Sequence, residues 1–242
     1  MSSLIFFALG GFNCEINIYS AVMAAVMALF CIGYTVVGFY IMKDGKMALY
    51  TIFLMTGGMI VPYIWGLIFL NEQFSILRTL GLIVVAAAVM AVNADSKSLK
   101  RKQLIMCVAV FLFNGFVSVV SKEHQINANA VSAADFVILT SISKTVICLP
   151  CILFSGDRTA EKERMNLQSA FMVVCAAVFS GMAYFLQLRG ASALPATVIY
   201  PFITGGSIVF TALAGKVFFK ESLGLRMFAG IVLCLIGTCM FL

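Results

Sequence analysis

Lys144 is the residue whose position asks most of its surroundings. It stands about 11 residues into the apolar stretch Ala133 to Phe154, and an ammonium at such depth costs several kcal/mol unless it is paired or faces water. Two uses fit it: holding an anion or a carbonyl of a substrate, or pairing with another helix to hold a bundle together. Asp135 lies nine residues earlier, about half a turn round a helix, and is not its natural partner. Tyr34, Trp65, Asn114, Tyr184, Gln187, Tyr200 and Thr204 also lie within or near apolar stretches. Polar and amphipathic groups of this kind line a cavity and fix a ligand's orientation, although an aromatic near the end of a span also marks a membrane interface. Asn114, Tyr200 and Thr204 are the foremost binding candidates after Lys144.

Glu72 and Glu221 sit at turns just before helices, where a carboxylate satisfies free backbone donors and complements the helix dipole. A proton-coupling role would want them deeper, so the capping role is expected. Gly57-Gly58 and Gly205-Gly206 suit close helix approach. Pro62, Pro195 and Pro201 remove backbone donors and permit bends, which serve gating in some membrane helices and occur without function in others. Cys148 and Cys151 form a C-x-x-C, but inside an apolar run, where thiols act as small hydrophobes. One histidine, His124, and no cluster of ligands give no basis for a metal site. Neither an acid and base pair, a nucleophile cluster nor a G-x-x-x-x-G-K loop occurs. The expected chemistry is recognition without catalysis, no enzyme and no cofactor, with any transport driven by gradients.

The elements that position these residues are membrane helices. The chain of 242 residues is 62% apolar and 11% charged, with a mean hydropathy of +1.08, far from the roughly 45–50% apolar and 25% charged of soluble domains. A spanning helix needs about 20 apolar residues, and the sequence supplies that length repeatedly. Met1 to Phe12 is apolar but too short and reads as the tail of a helix. Spans are expected at Tyr19–Met42, Ala48–Leu70, Ile76–Val92, Leu104–Val120, Ala133–Phe154, Ala170–Leu188, Ala196–Phe218 and Leu225–Leu242. Between them lie the basic segment 95–103, a polar loop from Ser121 to Asn129 and a charged loop from Gly156 to Asn166.

Shifted by 149 positions, Gly57, Gly66, Phe69, Glu72 and Gly81 fall on Gly206, Gly215, Phe218, Glu221 and Gly230 in one gapless frame. The same helical hairpin is therefore present twice, and Glu72, Glu221, Gly81, Gly230, Gly57 and Gly206 form a structural repeat motif. Residues 104–242 make a complete second repeat of five helices, and residues 1–94 an incomplete first. An odd number of helices per repeat sends the two halves across the membrane in opposite senses, the inverted arrangement of secondary transporters. Carried backward, the shift places Cys151 on Ser2, so the first repeat is about one and a half helices short. A misplaced start, a fragment and a genuine loss all give this pattern. The expected fold class is an all-α integral membrane protein of two inverted five-helix repeats, the first incomplete at its N-terminal side, with about eight full spans plus a stub. Twelve basic residues, from Lys43 through Lys97, Lys100, Arg101 and Lys102 to Arg226, fall on one side, and Arg78, Lys122 and Arg189 on the other. The positive-inside rule makes the first side cytoplasmic and the C-terminus external.

The doubled hairpin with its glutamate, and the helix order leading to it, resembles the EamA-type members of the drug/metabolite transporter superfamily. Asn114-Gly115 stands where the family has W-G, Lys122 where it has a lysine, and Lys144 where an arginine is usual. Asn71-Glu72 and Lys220-Glu221 replace G-E. The resemblance implies a multi-pass plasma-membrane transporter, exporter or exchanger, moving small organic metabolites or drugs by alternating access, with Lys144 and the polar set near its substrate. A truncated, non-transporting membrane protein that serves as an assembly partner or has no function is the alternative. Expected partners are a small-molecule substrate, the lipid bilayer and possible homodimer formation with a second copy, with no nucleic acid.

Overall fold

The structure, a computed structural model, describes residues 15–44, 47–92, 101–154, 167–218 and 225–241. Among these the regular elements are all helical: α1 Ile18–Lys43, α2 Met47–Ile68, α3 Ile76–Val92, α4 Arg101–Ile126, α5 Ala133–Phe154, α6 Leu167–Ala193, α7 Ala196–Phe218 and α8 Leu225–Cys239. Five helical stretches, Ile18–Lys43, Leu49–Ile68, Arg101–Ile126, Ser169–Ala193 and Ala196–Ala214, are long and apolar enough to cross a membrane. Ile76–Ala91 and Phe228–Cys239 are apolar but shorter. Side chains such as Phe179 and Phe210 stand 74% and 75% exposed, which suits a surface that meets hydrocarbon. The chain is a multi-pass membrane protein. α1, α2 and α3 begin at Ile18, Met47 and Ile76, and α6, α7 and α8 at Leu167, Ala196 and Leu225, each pair separated by the same 149 residues as the sequence motif.

Local sequence sets the helix ends. Asn17 precedes α1 and its Oδ1 accepts the Ser20 N–H at 2.7 Å, satisfying one of the free donors of the first turn. Ser132 caps α5: the Asp135 N–H donates to Ser132 Oγ at 3.2 Å, and the Ser132 hydroxyl donates to Asp135 Oδ2 at 2.8 Å. Asp135 is thus committed to its own helix start. Past the end of α2 the Glu72 N–H donates to Gly66 O at 3.0 Å, with Asn71 in the left-handed region at φ 50°. Glycine has no side-chain penalty in this conformation, and asparagine adopts it at modest cost.

The chain divides into two compact units, Met1–Ile32 with Val120–Ala193 and Gly33–Val119 with Leu194–Leu242. In the second, Met59, Tyr63, Val85, Val89, Ile208, Ile231 and Cys234 of α2, α3, α7 and α8 form one core. A Cβ on Gly81 would lie 2.9 Å from Gly237 O, so α3 and α8 cross nearly backbone to backbone there. A Cβ on Gly57 would lie 2.2 Å from Phe111 O, and one on Gly115 2.4 Å from Val61 Cβ, so α2 and α4 also cross at small residues. Gly230 is buried. Gly206 departs from the expected packing role, since among the described residues a Cβ there would meet nothing within 4 Å.

Two expectations about α4 are corrected. Residues 101–103, placed in the basic loop, are helical, and Ser121–Ile126, expected in a polar loop, continue the helix. In the first unit Ser121, Lys122 and His124 of this last stretch are buried. The helix holds because their polar atoms find partners inside it, as described next.

Candidate functional site

In the first unit α5 presents Lys144 and α6 presents Tyr184. The Lys144 ammonium lies 5.8 Å from the centroid of the Tyr184 ring, over its face. That ring is fixed at its far end, where the hydroxyl donates to Met27 Sδ at 3.0 Å and lies 3.4 Å from Ser121 Oγ. A cation over an aromatic face gains about 0.5–2 kcal/mol, less than the several kcal/mol of its desolvation. Lys144 is half-buried, and among the described residues it has no ion pair. Its donors are therefore able to meet an incoming anion or carbonyl, with the ring as a rigid backing. Gln187, half-buried and three residues beyond Tyr184, shares that face of α6.

Around this pair the unit buries polar side chains that are already engaged. Lys122 is 6% exposed and donates to Ala191 O at 2.7 Å, in the last turn of α6, where carbonyls lack helical partners and the dipole favours a cation. The His124 ring stacks 3.6 Å from Phe136 and 5.9 Å from Tyr19, with Nε2 2.9 Å from Ser20 Oγ. Sequence reasoning missed these residues as interior groups. The signal was present: Ser118, Ser121, Lys122 and Gln125 recur at helical spacing, one face of a continuing helix.

In the second unit the structure brings Asn114 and Tyr200 to one stretch of α4. Pro62 supplies no N–H, so Gly58 O loses its helical donor, and Ser118 Oγ donates to that carbonyl at 3.2 Å. Asn114 Nδ2 donates to Leu54 O at 2.7 Å, and the Tyr200 hydroxyl donates to Ser118 O at 2.6 Å. Asn114 is half-buried, whereas Tyr200 is 2% exposed. Thr204 lies one turn beyond Tyr200 on α7 and is half-buried. Tyr34 packs against Ile41, Cys107 and Val110, and Trp65 stacks on Phe69 at 4.1 Å.

Glu72 has a different partner from the one its position suggested. The helix that follows it, α3, is served by Ser75, whose Oγ accepts the Arg78 N–H at 3.5 Å. The Glu72 carboxylate instead accepts the Ala196 and Thr197 N–H groups at 2.6 and 2.9 Å and the Thr197 hydroxyl at 2.7 Å. Pro195, the residue before α7, has no side-chain acceptor to offer, so the first free donors of α7 are met by a carboxylate from the α2 turn. Gly66 makes room for it: a Cβ there would stand 2.8 Å from Glu72 Oε2. Glu221, and the side chain of Cys151, lie outside the described residues; Cys148 is a free thiol.

Long apolar helices that bury satisfied polar groups define a polytopic helical membrane protein. The EamA-like transporter family model matches residues 101–242, more than half of the chain, and the chain belongs to that family. Membership points to a transporter rather than an enzyme. No curated protein matches the sequence. A crystal structure of a protein 14% identical superposes with a TM-score of 0.72 over 99% of this chain and 82% of its own, a likeness of fold alone.

Proposed function

We propose that the protein is a secondary transporter, an exporter or exchanger, that moves small organic metabolites or drugs across the plasma membrane by alternating access. The observation that carries this reading is Lys144, a half-buried cation on a fixed tyrosine face in the middle of α5. The substrate class that suits it bears a carboxylate or a strongly polar carbonyl, bound by Lys144 with Tyr184 and Gln187 beside it. Asn114, Tyr200, Thr204, Tyr34 and Trp65 are assigned supporting roles along the pathway. The common 149-residue spacing of helix starts supports two inverted repeats with the first incomplete, and about eight spans. The basic loops face the cytoplasm on the positive-inside rule.

The test is substrate flux per folded molecule in proteoliposomes. Loss of a charge-assisted contact worth about 1.5–3 kcal/mol lowers flux of an acidic substrate at limiting concentration about 10- to 100-fold in Lys144→Met, while Lys144→Arg retains part of it with altered selectivity. Unchanged flux in the methionine variant overturns the binding assignment.

A further inference from the structure

We propose a phospholipid site where α1 ends and α4 begins, occupied by an anionic lipid whose phosphate lies between Lys43 and Lys102. It rests on the membrane placement of these helices and is independent of the transport reading.

Two cavities adjoin there. One, of about 450 Å³, is lined by Tyr40, Asp44, Lys102, Gln103 and Met106. The other, of about 560 Å³, is lined among the described residues by Val36, Phe39, Tyr40, Met42 and Lys43. Tyr40 belongs to both, so the two share a wall. Their chemistry differs by depth. Val36 and Phe39 are 47% and 59% exposed and make the second cavity apolar on the side toward the middle of α1. At its outer rim the Lys43 ammonium lies 5.9 Å over the Tyr40 ring. Beyond that ring the first cavity gathers the polar side chains of Asp44, Lys102 and Gln103 beside Tyr40 and Met106. The Asp44 carboxylate is held there by Gln103 Nε2 at 2.8 Å, and Gln103 is itself 7% exposed.

Along α1 the order is therefore apolar groove, aromatic ring with a cation, then a second cavity that carries a second cation and an anchored carboxylate. A phospholipid has the same order: acyl chain, glycerol phosphate, head group. Two ammoniums against one carboxylate leave a net positive charge, which selects a net negative lipid. The carboxylate accepts from a head group that offers hydroxyl donors, which phosphatidylglycerol does. Lysines at span ends that merely reach toward water have no need of a pocket; here both border one, and a buried glutamine fixes its acidic wall.

The experiment is native mass spectrometry of the full chain in detergent, titrated with phosphatidylglycerol or with phosphatidylcholine of the same acyl chains. The parent is expected to retain phosphatidylglycerol at least ten-fold better. That preference is expected to vanish in the Lys43→Gln/Lys102→Gln double variant, to weaken for both lipids in Phe39→Ala, and to persist in Arg189→Gln, which removes a charge elsewhere. Thermal unfolding of each variant confirms that it is folded. Equal retention of the two lipids by the parent, or undiminished preference in the double variant, overturns the proposal. Displacement of phosphatidylglycerol by equimolar glycerol phosphate also overturns it, since the ligand would then be a soluble anion and the apolar cavity idle.

Discussion

Glu72→Ala tests the least obvious connection in the fold, the capping of α7 by a residue 124 positions earlier in the chain. Alanine leaves two backbone N–H groups and the Thr197 hydroxyl without their acceptor. A fully buried donor left unmet costs about 1–3 kcal/mol, and deletion of an exposed cap about 0.5–2 kcal/mol. Glu72 is half-buried, so water relieves part of the loss, and the expected cost is about 2–3 kcal/mol. Glu72→Gln keeps one acceptor oxygen but turns an amide donor toward another donor, for a loss of about 1–2 kcal/mol. Thr197→Val removes only the hydroxyl contact, about 0.5–1.5 kcal/mol. Because Glu72 and Thr197 touch, the double variant should fall short of the sum by about the whole threonine effect. Equilibrium unfolding in mixed micelles, followed by helicity, measures all four proteins. A Glu72→Ala protein within about 0.5 kcal/mol of the parent, the range of ordinary surface substitutions, would refute the capping assignment.

The repeat-related glycines make an opposed pair: Gly57→Ala should destabilise by about 1–3 kcal/mol or more because its Cβ meets the Phe111 backbone, while Gly206→Ala should be neutral or slightly stabilising. Thermal unfolding in detergent reads both, and equal loss at the two positions would contradict the geometry. On orientation, cysteines introduced into residues 95–100 and 156–166 should resist impermeant reagents applied to intact cells whose accessible native cysteines are removed, since the 95–103 and 156–166 segments carry seven of the 16 basic residues. Strong external labelling of both would reverse the assigned sidedness.

Much of the helix map was legible because hydropathy and caps act locally. Ala133–Phe154 and Ala196–Phe218 were read to the residue, Ile76–Val92 likewise, and α1 within one residue at each end. The membrane class followed from composition alone. What a single chain could not display is which polar groups find partners in space. Glu72 reads as a cap, but nothing local says that α7 receives it. Asn114 and Tyr200 read as candidates to line a cavity, and each is tied to a backbone carbonyl, Leu54 O and Ser118 O.

The α4 error shows the physical limit most clearly. Hydropathy prices each side chain as though it met hydrocarbon, so Ser121-Lys122-Glu123-His124-Gln125 reads as a loop. In the fold the cost is set by partners instead: Lys122 meets a helix-terminal carbonyl and His124 meets Ser20 and two aromatic faces. The same rule separates the two lysines. Lys122 is buried against an acceptor that the helix end had to spare, and its role is spent in holding α4 to α6. Among the described residues Lys144 meets the face of a ring and no ion-pair partner, and a ring orients a cation without neutralising it. A charge left half-accessible in the middle of a helix can still meet a ligand where a satisfied one cannot, which is why the proposed binding role falls on Lys144 rather than on the more deeply buried Lys122.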